Sequence, residues 1–230
     1  MRFKSENDVF EYIFDLSSAT LENTLGIFSR EEDLLEFDHI KVKQSKTLLY
    51  QHSTGAMVWK TTPKFADWIR TSPINHLVES KTIVELGSGT GALAMLISDF
   101  SHKFIATDQK TLLKLCKQNC EGFSHVFVRE FDWETQEFND EDIDINDPPV
   151  TVLACDTIYN DYLPRPFLEA IFSVWNACSG SNYAIIGVQL RDLSVIDNAF
   201  NLFLRFFTEF EVLNISPGFI AVLLDRNFKK

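Results

Sequence analysis

The stretch KTIVELGSGTGALAML, Lys81–Leu96, decides the fold. TIVEL reads as a short apolar strand. Glycines follow at 87, 89 and 91, and apolar residues then recur at helical spacing. A strand, a glycine turn and a helix together make a nucleotide-cofactor site. Glycine lets the backbone turn sharply and approach a ligand with no Cβ in the way. The glycines alone leave the cofactor open.

Downstream of this unit, strands and helices alternate. KFIATD is a second strand, followed by the helix KTLLKLCKQNC, and HVFVREF is a third strand. VTVLAC is a fourth, with a helix predicted over 164–178. NYAIIGVQL is a fifth, followed by the helix SVIDNAFNLFLRFF. The end changes character. FEVLNI and FIAVLLDR flank the short turn SPG, so these two strands run antiparallel. Short apolar strands separated by helices build a parallel sheet. The expected fold is therefore α/β: a seven-stranded, mostly parallel, Rossmann-like sheet with helices on both faces and a C-terminal antiparallel β-hairpin.

Upstream, Val9, Phe10, Ile13, Phe14 and Leu16 have helical spacing. LLEFDHIKVKQ and TLLYQH alternate apolar and polar residues, which predicts a β-hairpin turning around Gln44–Lys46. TPKFADWIRTS carries Pro63 in a first helical turn. Residues 1–60 read as a helix/β-hairpin extension packed on a core domain spanning 61–230.

The 230 residues suffice for one large domain. Twenty-one phenylalanines point to an aromatic-rich core. The net charge of −12 opposes nucleic acid and anionic membranes, and no Lys/Arg cluster offsets it; a basic protein surface is the natural partner. The start, MRFKSENDVFEYIF, lacks a long apolar run, and segments such as FIAVLL are too short to cross a bilayer. Cys116, Cys120, Cys155 and Cys178 show no CxxC pairing. Cys116 and Cys120 lie four apart on a helix, with no second pair to complete a metal site, so they read as packing thiols and no metal is expected. The cysteine pattern fits a reducing compartment, cytosol or nucleus. The five histidines are scattered and receive no catalytic role.

Two cofactors can claim the glycine turn. Gly87-Gly89-Ala92 fits the dinucleotide pattern loosely, so NAD(P) stands as an alternative. Asp108 ends the second strand, where a carboxylate can accept both ribose hydroxyls and also cap the next helix. Glu85 lies two residues before the first glycine. A pyrophosphate there would be repelled, whereas the ammonium and sulfonium of S-adenosylmethionine would be attracted. FDW, Phe131–Trp133, ends the third strand: Asp132 can accept from an adenine amino group, and Trp133 offers a stacking face. The closing antiparallel hairpin is also unusual for a dehydrogenase sheet.

The motifs VW (58–59), VELGSGTG (84–91), TD (107–108), FDW (131–133) and CDTIY (155–159), in that order, resemble the seven-strand protein methyltransferases of methyltransferase family 16. These are lysine-methylating enzymes without a SET domain, and the resemblance covers roughly 40–226. CDTIYND looks closest to the branch with the yeast-type ribosomal-protein lysine methyltransferases. The resemblance implies S-adenosyl-L-methionine as cofactor and 61–230 as the methyltransferase domain. It implies Trp59 over the methionine end, Gly87, Ser88 and Gly89 along the turn, Asp108 at the ribose and Trp133 at the adenine. Cys155 would make a backbone contact, although this sequence has cysteine where alanine is common. Asp156 and Tyr159, at the end of the fourth strand, would face the methyl acceptor. Asp156 is expected to bind and orient the incoming ammonium and accept its proton; Tyr159 is expected to wall the lysine channel. The bland reading makes Asp156 a turn cap and Tyr159 packing.

NDPPV, 146–150, imitates the Asp-Pro-Pro-aromatic signature of amino-methylating nucleic-acid enzymes, but Val150 replaces the aromatic and the motif precedes the fourth strand. The acidic segment 134–149 reads as a solvated loop. The expected partner is a protein with an accessible lysine, a ribosomal protein among the candidates, with no direct nucleic-acid or membrane binding. A cytoplasmic monomer is expected, with the nucleus as the alternative compartment. Two other readings stay open: a cofactor-binding scaffold without catalysis, and an NAD(P)-dependent oxidoreductase.

Overall fold

The computed structural model describes residues 1–18, 25–37, 40–138, 148–178 and 182–230. In chain order it begins with β1 (Arg2–Phe3), α1 (Glu6–Ser18), β2 (Leu34–Phe37), β3 (Ile40–Lys43) and α2 (Lys46–Tyr50). Then come α3 (Thr61–Thr71), β4 (Thr82–Leu86), α4 (Ala92–Ile97), β5 (Lys103–Asp108), α5 (Lys110–Cys120) and β6 (Val126–Glu130). The last stretch holds β7 (Val150–Cys155), α6 (Pro164–Ala177), β8 (Tyr183–Gln189), α7 (Leu193–Phe206), β9 (Phe210–Ser216) and β10 (Phe219–Asp225).

The main sheet has the order β1-β9-β10-β8-β7-β4-β5-β6. β4 pairs in parallel with both β5 and β7, β5 with β6, and β7 with β8. β10 lies antiparallel between β8 and β9. The chain thus leaves β4 in one direction, reaches the edge at β6, and returns on the other side at β7. That reversal opens a crevice at the carboxyl ends of β4 and β7.

Strand residues alternate between two apolar layers. Val84, Leu86, Ile105, Val152 and Ile186 face the side covered by α1, α6 and α7. Ile83, Phe104, Leu153, Ile185 and Phe219 face the side covered by α3, α4 and α5. Glu85 alternates onto this second side. The high phenylalanine count finds its place beneath α7, where Phe3, Phe200, Phe203 and Phe210 pack ring against ring with centroids 5.0–5.7 Å apart. Cys116 and Cys120 are buried on the inner face of α5, as packing thiols would be.

Two expectations need correction. The main sheet has eight strands among the described residues, because β1 adds to the edge at β9. Phe3 is fully buried, stacking on Phe210 at 5.0 Å, and Arg2 and Lys4 pair with Glu211 and Glu209. Capping an open edge in this way protects it from pairing with another chain. The N-terminal hairpin is shifted: Leu34 pairs with Lys43 and Phe37 with Ile40, so the paired strands both precede Gln44–Lys46 and do not flank it. The stretch after it is helical, since the Ser45 hydroxyl accepts from the Leu48 amide and caps α2. A helix N-cap outcompetes a six-residue alternation that is too short to fix a strand. Much of the predicted acidic loop, 139–147, lies outside the described residues.

Candidate active site

The glycine turn sits at the crevice. The amides of Gly87 and Ser88 both donate to the Thr107 carbonyl, at 3.0 and 2.9 Å, tying the turn to β5. Gly89 has φ +56°, and a Cβ there would lie 2.5 Å from the Gly55 carbonyl oxygen. Gly87 has φ +76°, with Thr157 Cγ2 at 2.8 Å and the Trp133 ring at 3.4 Å from its would-be Cβ. Both conformation and space therefore demand glycine at these two positions. A cleft of about 440 Å³ opens above the turn. Its walls are the 52–59 segment, the ends of β5, β6 and β7, and Arg191 after β8.

All the residues singled out from the sequence line this one cleft: Trp59, Glu85, Gly87, Ser88, Gly89, Asp108, Asp132, Trp133, Cys155, Asp156 and Tyr159. They arrive from five separate parts of the chain.

Two carboxyls form the floor, Glu85 and Asp108. Glu85 is buried, and its Oε2 has no hydrogen-bond partner. Burial pushes its carboxyl up to about 8 and the charge of Asp108 adds to the rise; the Ser88 hydroxyl, nearby but outside hydrogen-bond geometry, offsets part of it. Asp108 accepts from the amides of Gly89 and Gln109, each at 2.7 Å. Crowding by protein atoms nevertheless raises it to about 6. The expected capping role does not hold: Gln109 occupies the cap position of α5, and Asp108 bridges instead to the glycine turn.

On the β6 side, Trp133 is half-buried and meets Phe167 edge-on at 5.4 Å. Asp132 forms a local turn, its Oδ1 accepting from the Glu134 amide at 3.1 Å. On the other side, Trp59 donates its indole N–H to the Thr54 carbonyl at 3.4 Å. Tyr159 is 47% exposed at the mouth. Cys155 is part-buried at the strand end; desolvation pushes its thiol well above the ordinary range, and the charge of Asp156 adds to that.

Asp156 has φ +58°, unusual for a side chain other than glycine. Its amide donates to the Gly187 carbonyl on β8 at 2.7 Å. Its side chain is 4% exposed. Oδ1 accepts from Arg191 Nη2, while Oδ2 is buried without a partner. Desolvation raises this carboxyl to about 6, against the lowering pull of Arg191. The Arg191 guanidinium in turn lies 4.9 Å over the Trp59 ring. Sequence reasoning missed Arg191. Its one signal is position: it follows the carboxyl end of β8, the strand that neighbours β7. The turn-cap reading of Asp156 also fails, because its side chain is committed to Arg191 and to no backbone amide.

Among the described residues no group of His, Cys, Asp or Glu is arranged to hold a metal ion, and no helix is long and apolar enough to cross a membrane.

The family model described as lysine methyltransferase matches residues 37–200. A diaminohydroxyphosphoribosylamino-pyrimidine deaminase of Schizosaccharomyces pombe is 34% identical over 66% of this chain, but that match spans 39% of the deaminase. Ribosomal lysine N-methyltransferase 5 of Lachancea thermotolerans is 23% identical, covering 86% of this chain and 88% of that protein. Methyltransferase-like protein 22 of Mus musculus is 26% identical over 77% of this chain and 53% of its own length. The chain therefore spans about two fifths of the deaminase and about half of the mouse protein. Among solved structures, PigF with SAH aligns with a TM-score of 0.50 at 13% identity, over 71% of this chain and 55% of that one, a likeness of fold.

Proposed function

The chain belongs to the lysine methyltransferase family, and from that premise we propose that it transfers the methyl group of S-adenosyl-L-methionine to a lysine side chain of a protein. The two buried carboxyls beneath the glycine turn, Glu85 and Asp108, carry the reading. A pyrophosphate placed there would face Glu85 and Asp108. Wherever either carboxyl is ionised, that encounter costs about 3 kcal/mol at ~5 Å and an effective dielectric of ~20. A ligand cation reverses the sign. The unpartnered Glu85 Oε2 is an acceptor waiting for such a group. A cleft of about 440 Å³ also lies in the range for nucleoside-sized ligands.

Bound S-adenosylmethionine supplies an electrophilic methyl group on a sulfonium. The chain's residues do the rest. Asp108 would hold the ribose hydroxyls, and Trp133 and Asp132 would hold the adenine. The backbone of Gly87, Ser88 and Gly89 would admit the ligand closely, and Glu85 would hold its ammonium. Trp59 would cover the methionine end, and Cys155 would contribute its backbone at the strand end. Asp156 binds and orients the substrate ammonium and takes its proton. A free lysine has a pKa of ~10.4, and burial beside a positive charge lowers it, which favours the neutral nucleophile. Tyr159, half-exposed at the mouth, walls the channel through which the lysine enters. Alignment and exclusion of water supply the rate.

Residues 1–60 act as an extension packed on the methyltransferase domain of 61–230. In support, β1 joins the main sheet at β9, and Asn119 of α5 exchanges two hydrogen bonds of 2.9 Å with the backbone of Lys43. The partner is a protein with an accessible lysine. Ribosomal proteins are the first candidates, given the name of the Lachancea relative, ribosomal lysine N-methyltransferase 5. The −12 charge favours a basic protein surface over direct contact with nucleic acid. A cytoplasmic or nuclear monomer fits this reading.

Tritiated S-adenosylmethionine incubated with the protein and a lysate from cells lacking it tests the proposal. A labelled protein band carrying methyl-lysine is the expected result. No band, with S-adenosylhomocysteine still bound, would establish a silent scaffold. Thermal stabilisation by NADH and none by S-adenosylhomocysteine would establish an oxidoreductase.

A further inference from the structure

We infer that Arg191 is a positioning residue for the acceptor amine: it occupies one carboxylate oxygen of Asp156, keeps that carboxylate ionised, and leaves the second oxygen for the substrate ammonium. The inference rests on the methyltransferase reading.

Three observations carry it. First, the pairing is one-sided. Arg191 Nη2 binds Oδ1 alone; Oδ2 is buried outside hydrogen-bond geometry with any group, the neighbouring Thr61 hydroxyl exerting only a lowering pull on the carboxyl. Buried polar atoms are seldom left this way unless a ligand completes them. Second, Arg191 is itself fixed, with its guanidinium over the Trp59 ring at 4.9 Å and its side chain 25% exposed. A planar guanidinium can stack and donate at once, which an ammonium cannot do equally well. Third, Asp156 adopts φ +58°, and its amide is anchored to Gly187 on the strand that delivers Arg191. Backbone strain of this kind persists where surrounding contacts over-determine it, and such places are commonly functional.

The neighbours of Asp156 leave the arginine a clear task. Glu85 from β4, Asp108 from β5, Asp132 beyond β6, Cys155 beside it on β7 and Tyr159 just after it line the same cleft, together with Glu134 and His52 at its ends. Among the described lining residues Arg191 is the one lysine or arginine. Carboxyls crowd the site, and desolvation already lifts Asp156 to about 6. Without Arg191 the carboxyl would rise further and be protonated at neutral pH. It would then offer a proton where a proton acceptor is needed.

The test compares the full chain with Arg191→Met and Arg191→Lys. Asp side-chain carboxyls labelled with ¹³C are titrated by NMR, and the Asp156 signal is identified by its loss in Asp156→Asn. The expected midpoint in Arg191→Met lies at least one pH unit above wild type, and Arg191→Lys falls between the two. S-adenosylhomocysteine affinity stays within about threefold in all three proteins, which also shows that each is folded. In the tritium assay Arg191→Met is expected to lose about tenfold at pH 7 and to recover by pH 9, the acid limb having moved with the titration. An unmoved Asp156 midpoint overturns the inference. So does transfer by Arg191→Met with a pH profile superimposable on wild type. A wild-type protein that transfers nothing overturns the proposed function instead, whatever the titration shows.

Discussion

Replacing Glu85 with glutamine should remove most of the pH dependence of cofactor binding. In the free protein Glu85 is buried, lacks a partner on one oxygen, and titrates at about 8. At pH 6.5 almost every molecule therefore carries this carboxyl protonated. A bound cofactor places positive charge in the cleft and favours the ionised form, so binding expels a proton. Affinity then rises nearly tenfold per pH unit below 8 and levels off above it. With the bound-state value below 6, the gain between pH 6.5 and 8.5 is roughly 25-fold, about 2 kcal/mol. Asp108 titrates at about 6 and adds less over this window. Isothermal calorimetry with S-adenosylmethionine, run across this range on wild type and Glu85→Gln, reads the difference. The variant shares the ligand's own titration and that of Asp108, so the ratio of the two curves isolates Glu85. Repeating the wild-type measurement in buffers of different ionisation enthalpy should also show proton release near pH 7. Parallel curves, or tighter wild-type binding at the acid end, would refute the assignment of Glu85 to the cationic part of the ligand.

The same carboxyl sets a stability trend in the cofactor-free protein. Its folded value of about 8 lies above the ordinary 4.5, so the stabilising contribution is full below pH 4.5 and is lost as pH rises toward 8. Thermal melts should fall over that window, by several degrees more in wild type than in Glu85→Gln. Gly89→Ala forces a Cβ to within 2.5 Å of the Gly55 backbone at φ +56°; it should abolish measurable S-adenosylhomocysteine binding in a calorimeter and lower the melting temperature. Phe3→Ala empties a fully buried site against Phe210 and Phe200, so urea denaturation should show a loss of about 3–5 kcal/mol. Asp156→Ala should eliminate tritium transfer and leave S-adenosylhomocysteine affinity within a few-fold; equal loss of both would misplace its role.

What could be read from the sequence divides along physical lines. β4, β7 and β8 are buried on both faces, so they appear as unbroken apolar runs that no helix of the same length imitates well. The glycine turn is legible because two independent demands, backbone conformation and lack of space, select the same residue at 87 and 89. β1 gives no such signal. Two residues have no period, and what fixes Phe3 is the ring of Phe210, more than two hundred residues away in the chain. α2 misleads for a related reason: KTLLY suits a strand or a helix, and the Ser45 cap together with Leu48 packing beside Ala56 and Leu112 decides between them.

The site splits the same way. The half we assign to the cofactor is written in short local motifs, because each strand end contributes one or two adjacent residues to the cleft. The half we assign to the acceptor depends on a pair 35 residues apart, Asp156 and Arg191, joined only because β7 and β8 are neighbours in the sheet. Either residue alone is unremarkable. Asp156 passes for a turn cap and Arg191 for a surface charge at the start of a helix. The difference in countercharge follows from this arrangement. Among the described lining residues no lysine or arginine lies beside Glu85 and Asp108; burial raises both, and the charge of Asp108 raises Glu85 further, as suits groups completed by a cationic ligand. Asp156 carries its own cation, so it can stay ionised before the substrate arrives. A carboxylate that must meet a protein lysine from solvent needs that standing charge, whereas the cofactor brings its own into a closed floor.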